Sequence, residues 1–227
     1  MNFTLQDIAK TIDHALLNPA MTVQQLEEGI EIAQKLNVAG VCIVPYYLKR
    51  CAELLRGSNI SACTTIGFPH GGHATAVKVA EAKQALDDGG EELDFVVNIS
   101  QVLSGNWEFV RSDIRAVIDV THDRGKKVKA IFENCYLTDA QKIKLCEICG
   151  ELGADWVKTS TGFGIGGAMM EDVKLMRKHS PPQVQIKAAG GIRELDALLA
   201  FRALGATRIG TSRTVEILDE CKRRLTR

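Results

Sequence analysis

The chain has 227 residues, 45% of them hydrophobic and 25% charged, the balance of an ordinary soluble globular protein with enough apolar side chains for one sizeable core. Lysine plus arginine equals aspartate plus glutamate at 28 each, so no net field recruits nucleic acid or an anionic membrane, and the partner expected is a small molecule. The first residues carry neither a basic nor an apolar leader, no run of about 18 apolar residues occurs, and the seven cysteines read as reduced thiols of a cytoplasmic protein.

A short helix over 5–11 opens the chain. Apolar runs of strand length then alternate with amphipathic runs of helix length, which is the signature of βα units. Strands are predicted at 13–17, 40–44, 61–66, 93–99, 128–133, 156–159, 184–188 and 207–210. Helices fill the gaps, among them 22–36, 73–86, 139–152, 193–204 and 214–225; Thr22 with Gln25 three residues on reads as a capping box. Eight such units fit one α/β domain over 1–227, a (β/α)8 TIM barrel with a short extra N-terminal helix, better than an open doubly wound sheet.

Period-two alternation assigns the inside of the barrel. Trp156 and Lys158 face in with Val157 out, and Gln185 and Lys187 face in with Ile186 out. Asp94, Val96 and Asn98, then Lys129, Ile131 and Glu133, and also Cys42, share the inward parity. Asp13 on the first strand is placed to serve the same cluster. Charges are almost never fully buried unless paired, so three inward lysines with inward carboxylates imply a compensated network.

Two of these lysines end their strands just ahead of glycine-rich turns: Lys158-Thr159-Ser160-Thr161-Gly162 and Lys187-Ala188-Ala189-Gly190-Gly191. A lysine attacks a carbonyl only as the free amine, and at an ordinary pKa of about 10.4 roughly one in 2,500 is free at pH 7. A second ammonium on the adjacent strand, about 4.8 Å away, supplies the repulsion that frees it. Spacing leaves open which of the two is the nucleophile. Asp94 is the candidate to move protons once an iminium forms. Glycine-rich strand-to-helix turns cradle phosphate through backbone N–H groups, and those around Gly162, around Gly190 and Gly191, and at Gly210-Thr211-Ser212 are the candidates. The expected partner is therefore a phosphorylated compound.

Other motifs carry blander readings. His70-Gly71-Gly72-His73 is a tight turn before a helix and lacks a third metal ligand. Cys146 and Cys149 fall at helical spacing, as thiols on a buried helix face. Gly162, Gly164 and Gly167 satisfy G-x-G-x-x-G, but the next strand has no terminal acid to hold a ribose hydroxyl.

Together, Ile12-Asp13-His14-Ala15-Leu16-Leu17, Ile66-Gly67-Phe68-Pro69-His70-Gly71, Glu92-Leu93-Asp94-Phe95-Val96-Val97-Asn98, the Lys158-to-Phe163 run, Lys187-to-Arg193 and Gly210-Thr211-Ser212 resemble the deoxyribose-phosphate aldolases over essentially the whole chain. The resemblance implies a class I aldolase without metal or other cofactor that cleaves 2-deoxy-D-ribose 5-phosphate to acetaldehyde and D-glyceraldehyde 3-phosphate in deoxynucleoside catabolism. It assigns the Schiff base to Lys158, the ammonium that frees it to Lys187, and the proton shuttle, through water, to Asp94. Thr161, Glu133, Lys129, Cys42 and Asp13 are expected to line the site, and homo-oligomers are compatible with the reading. Ala15, Met169 and Asn134 depart from the family pattern: Ala15 removes a polar contact near the substrate, Met169 a helix cap, and Asn134 is expected on a strand end facing the site. The competing reading is a non-catalytic or isomerising sugar-phosphate-binding barrel, which has no use for paired ammonium groups.

Overall fold

A computed structural model describes residues 3–226. Eight parallel strands close a barrel in sequence order: β1 (Ile12–Leu16), β2 (Gly40–Ile43), β3 (Ser61–Ile66), β4 (Glu92–Val96), β5 (Lys127–Ile131), β6 (Trp156–Lys158), β7 (Gln185–Ala189) and β8 (Ala206–Thr211). The helices around it are α1 (Leu5–Ala9), α2 (Val23–Leu36), α3 (Leu48–Leu54), α4 (Thr75–Asp87), α5 (Ile99–Leu103), α6 (Trp107–His122), α7 (Asp139–Leu152), α8 (Met170–His179), α9 (Leu195–Ala203) and α10 (Thr214–Leu225). The TIM barrel with its extra N-terminal helix stands as predicted. No helix among the described residues is long and apolar enough to cross a membrane.

Local chemistry explains the boundaries. Thr22 and Gln25 form the expected capping box at the start of α2, and Thr138 with Gln141 repeats it at α7. Met169 precedes α8 without a side-chain cap, so the loss expected there is real. The fourth strand stops three residues earlier than predicted: the Asn98 side chain accepts the N–H of Gln101 and so starts α5 where extended chain was expected.

The two faces of the barrel wall differ in kind. Outward residues such as Val41, Ile43, Leu93, Phe95, Ala130, Phe132, Val157 and Ile186 are fully buried under the helices and make the hydrophobic core. Cys146 and Cys149 are buried in α7, and burial pushes the Cys146 thiol up to about 11. Among the described residues, one ion pair with both side chains fully buried interrupts this outer layer. Lys78 of α4 donates to Asp113 of α6 at 2.7 Å and to the carbonyl of Val96 at 2.9 Å, with both side chains fully buried and the Thr75 hydroxyl completing the carboxylate. The inward face, which in most such barrels is packed with branched apolar residues, is charged here.

Candidate active site

The inward parity read from the sequence brings Asp94, Lys129, Lys158 and Lys187 together, and Asp13 joins them. Lys158 and Lys187 are paired residues in the β6–β7 register, at one level as expected. Their ammonium groups meet on a single atom: each lies 2.7 Å from Oδ2 of Asp94. Lys129 takes the other oxygen of Asp94 at 2.8 Å, and Lys187 also reaches Asp13 at 2.5 Å.

Two members escaped the sequence reading. Glu92, two residues before Asp94 and so of the same parity, bonds Lys129 at 2.5 Å, and the Arg208 guanidinium grips both Glu92 oxygens at 3.0 and 3.1 Å. Arg208 also bonds Asp13, and its plane lies over the Trp156 ring. Parity would have found both, since Arg208 alternates with the core residue Ile209 and shares the parity of Gly210, which pairs with inward Asp13.

Electrostatics follow from these contacts. Burial disfavours the Asp94 carboxylate, yet the ammonium groups of Lys129, Lys158 and Lys187 hold its pKa well below the usual range. Burial likewise disfavours the Lys187 ammonium, but Asp13 and Asp94 hold its pKa above that of an ordinary lysine, and Lys129 is raised for the same reason. Cys42 faces inward, where burial and the nearby Asp94 push its thiol up to about 11. The simple picture of two ammonium groups repelling each other is therefore corrected: a carboxylate oxygen lies between them. What distinguishes the lysines is their number of partners. Lys129 touches Asp13, Glu92 and Asp94; Lys187 touches Asp13 and Asp94; Lys158 touches Asp94 alone.

Above this cluster, at the C-terminal ends of the strands, opens a cleft of about 570 Å³ lined by the loops after β1, β6, β7 and β8. Gly162, Gly190, Gly191, Gly210, Thr211 and Ser212 all face it, as does Ala15. Gly162, Gly190 and Gly191 hold positive φ (+86°, +92° and +78°), which leaves their backbones open to an approaching anion. The Thr211 hydroxyl is committed elsewhere, donating to the carbonyl of Ile192 and accepting from the N–H of Arg213, so it braces the loops after β7 and β8. Lys158 does not line the cleft and is 2% exposed.

Glu133, beyond the end of β5, adopts a left-handed φ of +57° and is buried. Its carboxylate accepts the Thr161 N–H at 3.2 Å and the Thr161 hydroxyl, and that hydroxyl accepts the N–H of Phe163 at 3.0 Å. Asn134 does not face the site: its amide donates to Met176 of α8, in the outer layer, the side opposite to the inward Glu133. His70 and His73 are exposed; the metal-like grouping among the described residues is instead Asp13, Cys63 and Glu92, whose carboxylates already bind Lys187, Lys129 and Arg208.

Residues 8–212 match the model of the DeoC/LacD family aldolases. A deoxyribose-phosphate aldolase of Rhodopirellula baltica is 60% identical over 224 residues, covering 99% of this chain and 93% of that one. One of Thermococcus gammatolerans is 47% identical over 94% of this chain and 96% of its own. The deoxyribose phosphate aldolase of Aeropyrum pernix, described as having a unique tetrameric structure, superposes with a TM-score of 0.89 at 30% identity, covering 96% of this chain and 92% of that one. With a family model spanning nearly the whole barrel and relatives this similar along both lengths, the chain belongs to the DeoC/LacD family of aldolases.

Proposed function

We propose that the protein reversibly cleaves 2-deoxy-D-ribose 5-phosphate to acetaldehyde and D-glyceraldehyde 3-phosphate through a Schiff base on Lys158. The observation that carries the residue assignment is the unequal sharing of Asp94. Lys129, Lys158, Lys187 and Arg208 face Asp13, Glu92 and Asp94, one cation more than carboxylates. With Lys158, the cation with fewest partners, present as the free amine, the buried charges balance. Lys187 then serves as the permanent ammonium, consistent with the two carboxylates that hold its proton.

In this mechanism the Lys158 amine adds to the C1 aldehyde of the open-chain sugar, and loss of water gives the iminium. The C2–C3 bond breaks as a proton leaves the C3 hydroxyl, its electrons flow into the iminium, and D-glyceraldehyde 3-phosphate departs. Protonation of the remaining enamine at C2 and addition of water release acetaldehyde and restore the amine. Asp94, in contact with the reacting nitrogen, moves these protons through water. The loops at Gly190-Gly191 and Gly210-Thr211-Ser212 hold the phosphate, as loops after the seventh and eighth strands commonly do in such barrels. The same reading takes residues 1–227 as one cytoplasmic domain acting in deoxyribonucleoside catabolism, without a metal, and is compatible with homo-oligomers.

The test is reduction with borohydride in the presence of acetaldehyde, followed by peptide mass mapping. A two-carbon adduct on Lys158, with turnover unaffected by EDTA, is expected. An adduct on Lys187 or Lys129 overturns the assignment.

A further inference from the structure

The mouth of the barrel holds a second chamber of about 360 Å³ that the cleavage above leaves unused. The first cleft is built from the loops after β1, β6, β7 and β8, the second from those after β3, β4, β5 and β6. Only the loop after β6, the strand that ends in Lys158, borders both. Thr161 and Phe163 line both spaces, so the Phe163 ring is the wall between them. That ring is braced from the far side of the mouth by Phe68, on the loop after β3, edge to face with centroids 5.3 Å apart.

The second chamber is apolar where the first is lined by glycines and hydroxyls. Pro69, Ile99, Leu103 and Tyr136 face it together with Phe163, and His70 and Ser100 add polar groups to a mainly apolar lining. The Glu133 carboxylate at its edge is held against the loop after β6 by the Thr161 N–H and hydroxyl. The loop after β6 packs closely at its glycines: a Cβ on Gly164 or Gly166 would sit 3.0 Å from Glu133 or Cys135, and one on Gly167 only 2.4 Å from the carbonyl of Gly190.

We propose that Phe163, braced by Phe68, sets the range of acceptor aldehydes by closing the apolar chamber off from the Schiff-base lysine. A smaller side chain at 163 opens the chamber to the tail of a longer apolar aldehyde. The inference rests on the aldolase reading, run in the synthetic direction. One carbon–carbon bond forms between C2 of the acetaldehyde enamine and the acceptor carbonyl carbon, the carbonyl oxygen takes up a proton to become a hydroxyl, and no oxidant or reductant is consumed.

The experiment compares the parent with Phe163→Leu and Phe163→Ala, using acetaldehyde as donor and D-glyceraldehyde 3-phosphate, propanal or hexanal as acceptor. Each methylene accommodated in an apolar pocket is worth roughly tenfold or more in kcat/KM, and hexanal carries three more than propanal, so the hexanal-to-propanal ratio should rise on the order of 10³-fold in the variants. Adding Leu103→Asp, which puts a charge in the chamber, should abolish that gain; alone, it should leave addition to D-glyceraldehyde 3-phosphate unchanged. A parent inactive on D-glyceraldehyde 3-phosphate defeats the aldolase reading itself. An active parent whose ratio is unmoved in the variants overturns the gate, and so does a gain that survives Leu103→Asp. Should both substitutions at 163 unfold the protein, Phe68→Leu removes the brace instead, and an unchanged ratio there counts equally against the proposal.

Discussion

Replacing Lys187 with leucine removes the group that, in the proposed mechanism, lets Lys158 work as a free amine. In the parent, Lys187 bonds Asp13 at 2.5 Å and Asp94 at 2.7 Å. Without it, Lys129, Lys158 and Arg208 face Asp13, Glu92 and Asp94, and the buried charges balance only with Lys158 protonated. An amine held in a balanced cage is freed no more readily than an ordinary lysine, of which roughly one in 2,500 is free at pH 7. kcat/KM for deoxyribose 5-phosphate should therefore fall on the order of 10³-fold at pH 7, equivalent to about 4 kcal/mol of barrier. It should climb roughly tenfold per pH unit toward pH 10 as the free fraction grows. Initial rates of acetaldehyde release between pH 6 and 10.5 measure this, with circular dichroism establishing that the variant is folded. The fraction of Lys158 trapped by borohydride should rise over the same range. A loss by one constant factor at every pH refutes the reasoning and assigns Lys187 to proton transfer or positioning.

Gly191→Val places a branched side chain at φ +78°, in open space but in a conformation it rarely adopts, beside the candidate phosphate loops. KM for deoxyribose 5-phosphate should rise at least tenfold while the acetaldehyde adduct on Lys158, which carries no phosphate, still forms; unchanged binding of the sugar phosphate in a folded variant moves the phosphate elsewhere. His14 is buried with Nδ1 2.7 Å from the Thr214 hydroxyl, and burial lowers its pKa to about 4. The unfolded chain takes up this proton near pH 6.5 and the folded chain does not, so stability is full above pH 6.5 and is lost as pH falls toward 4, by roughly 3 kcal/mol. Urea denaturation at pH 7 and pH 4 should show that loss in the parent beyond whatever His14→Gln shows, and equal losses in both would exclude His14 as its source.

Much of this molecule was legible because alternation along a strand is a strict period of two. Fixing Lys158 as inward fixed Trp156 as well, and the same rule collected Asp94, Lys129 and Lys187 on five residues' worth of strand each. Asn134 was misplaced against that rule, for the residue after inward Glu133 alternates outward and meets Met176 of α8. Arg208 was missed although its alternation with the core residue Ile209 puts it inward; that it meets Asp13 comes only from β8 closing on β1, which neither strand displays alone. The wall at Phe163 was likewise beyond reach: its meaning comes from Phe68, 95 positions away in sequence and in contact only once the barrel closes.

The buried pair of Lys78 and Asp113 carries a consequence for how this chain can vary. It touches no candidate substrate group, and a buried pair of this kind can often be exchanged for hydrocarbon of similar volume at little or no loss. Changing one member alone, however, strands an uncompensated charge beneath α4 and α6, at a cost of about 3–5 kcal/mol. Sequences on either side of that exchange are both viable, while the single-step intermediates between them are not. The pair is a ratchet in sequence space: positions 78 and 113 change together or stay as they are, and Thr75 and the carbonyl of Val96, which complete the ion pair's hydrogen bonds, resist the first step from either direction.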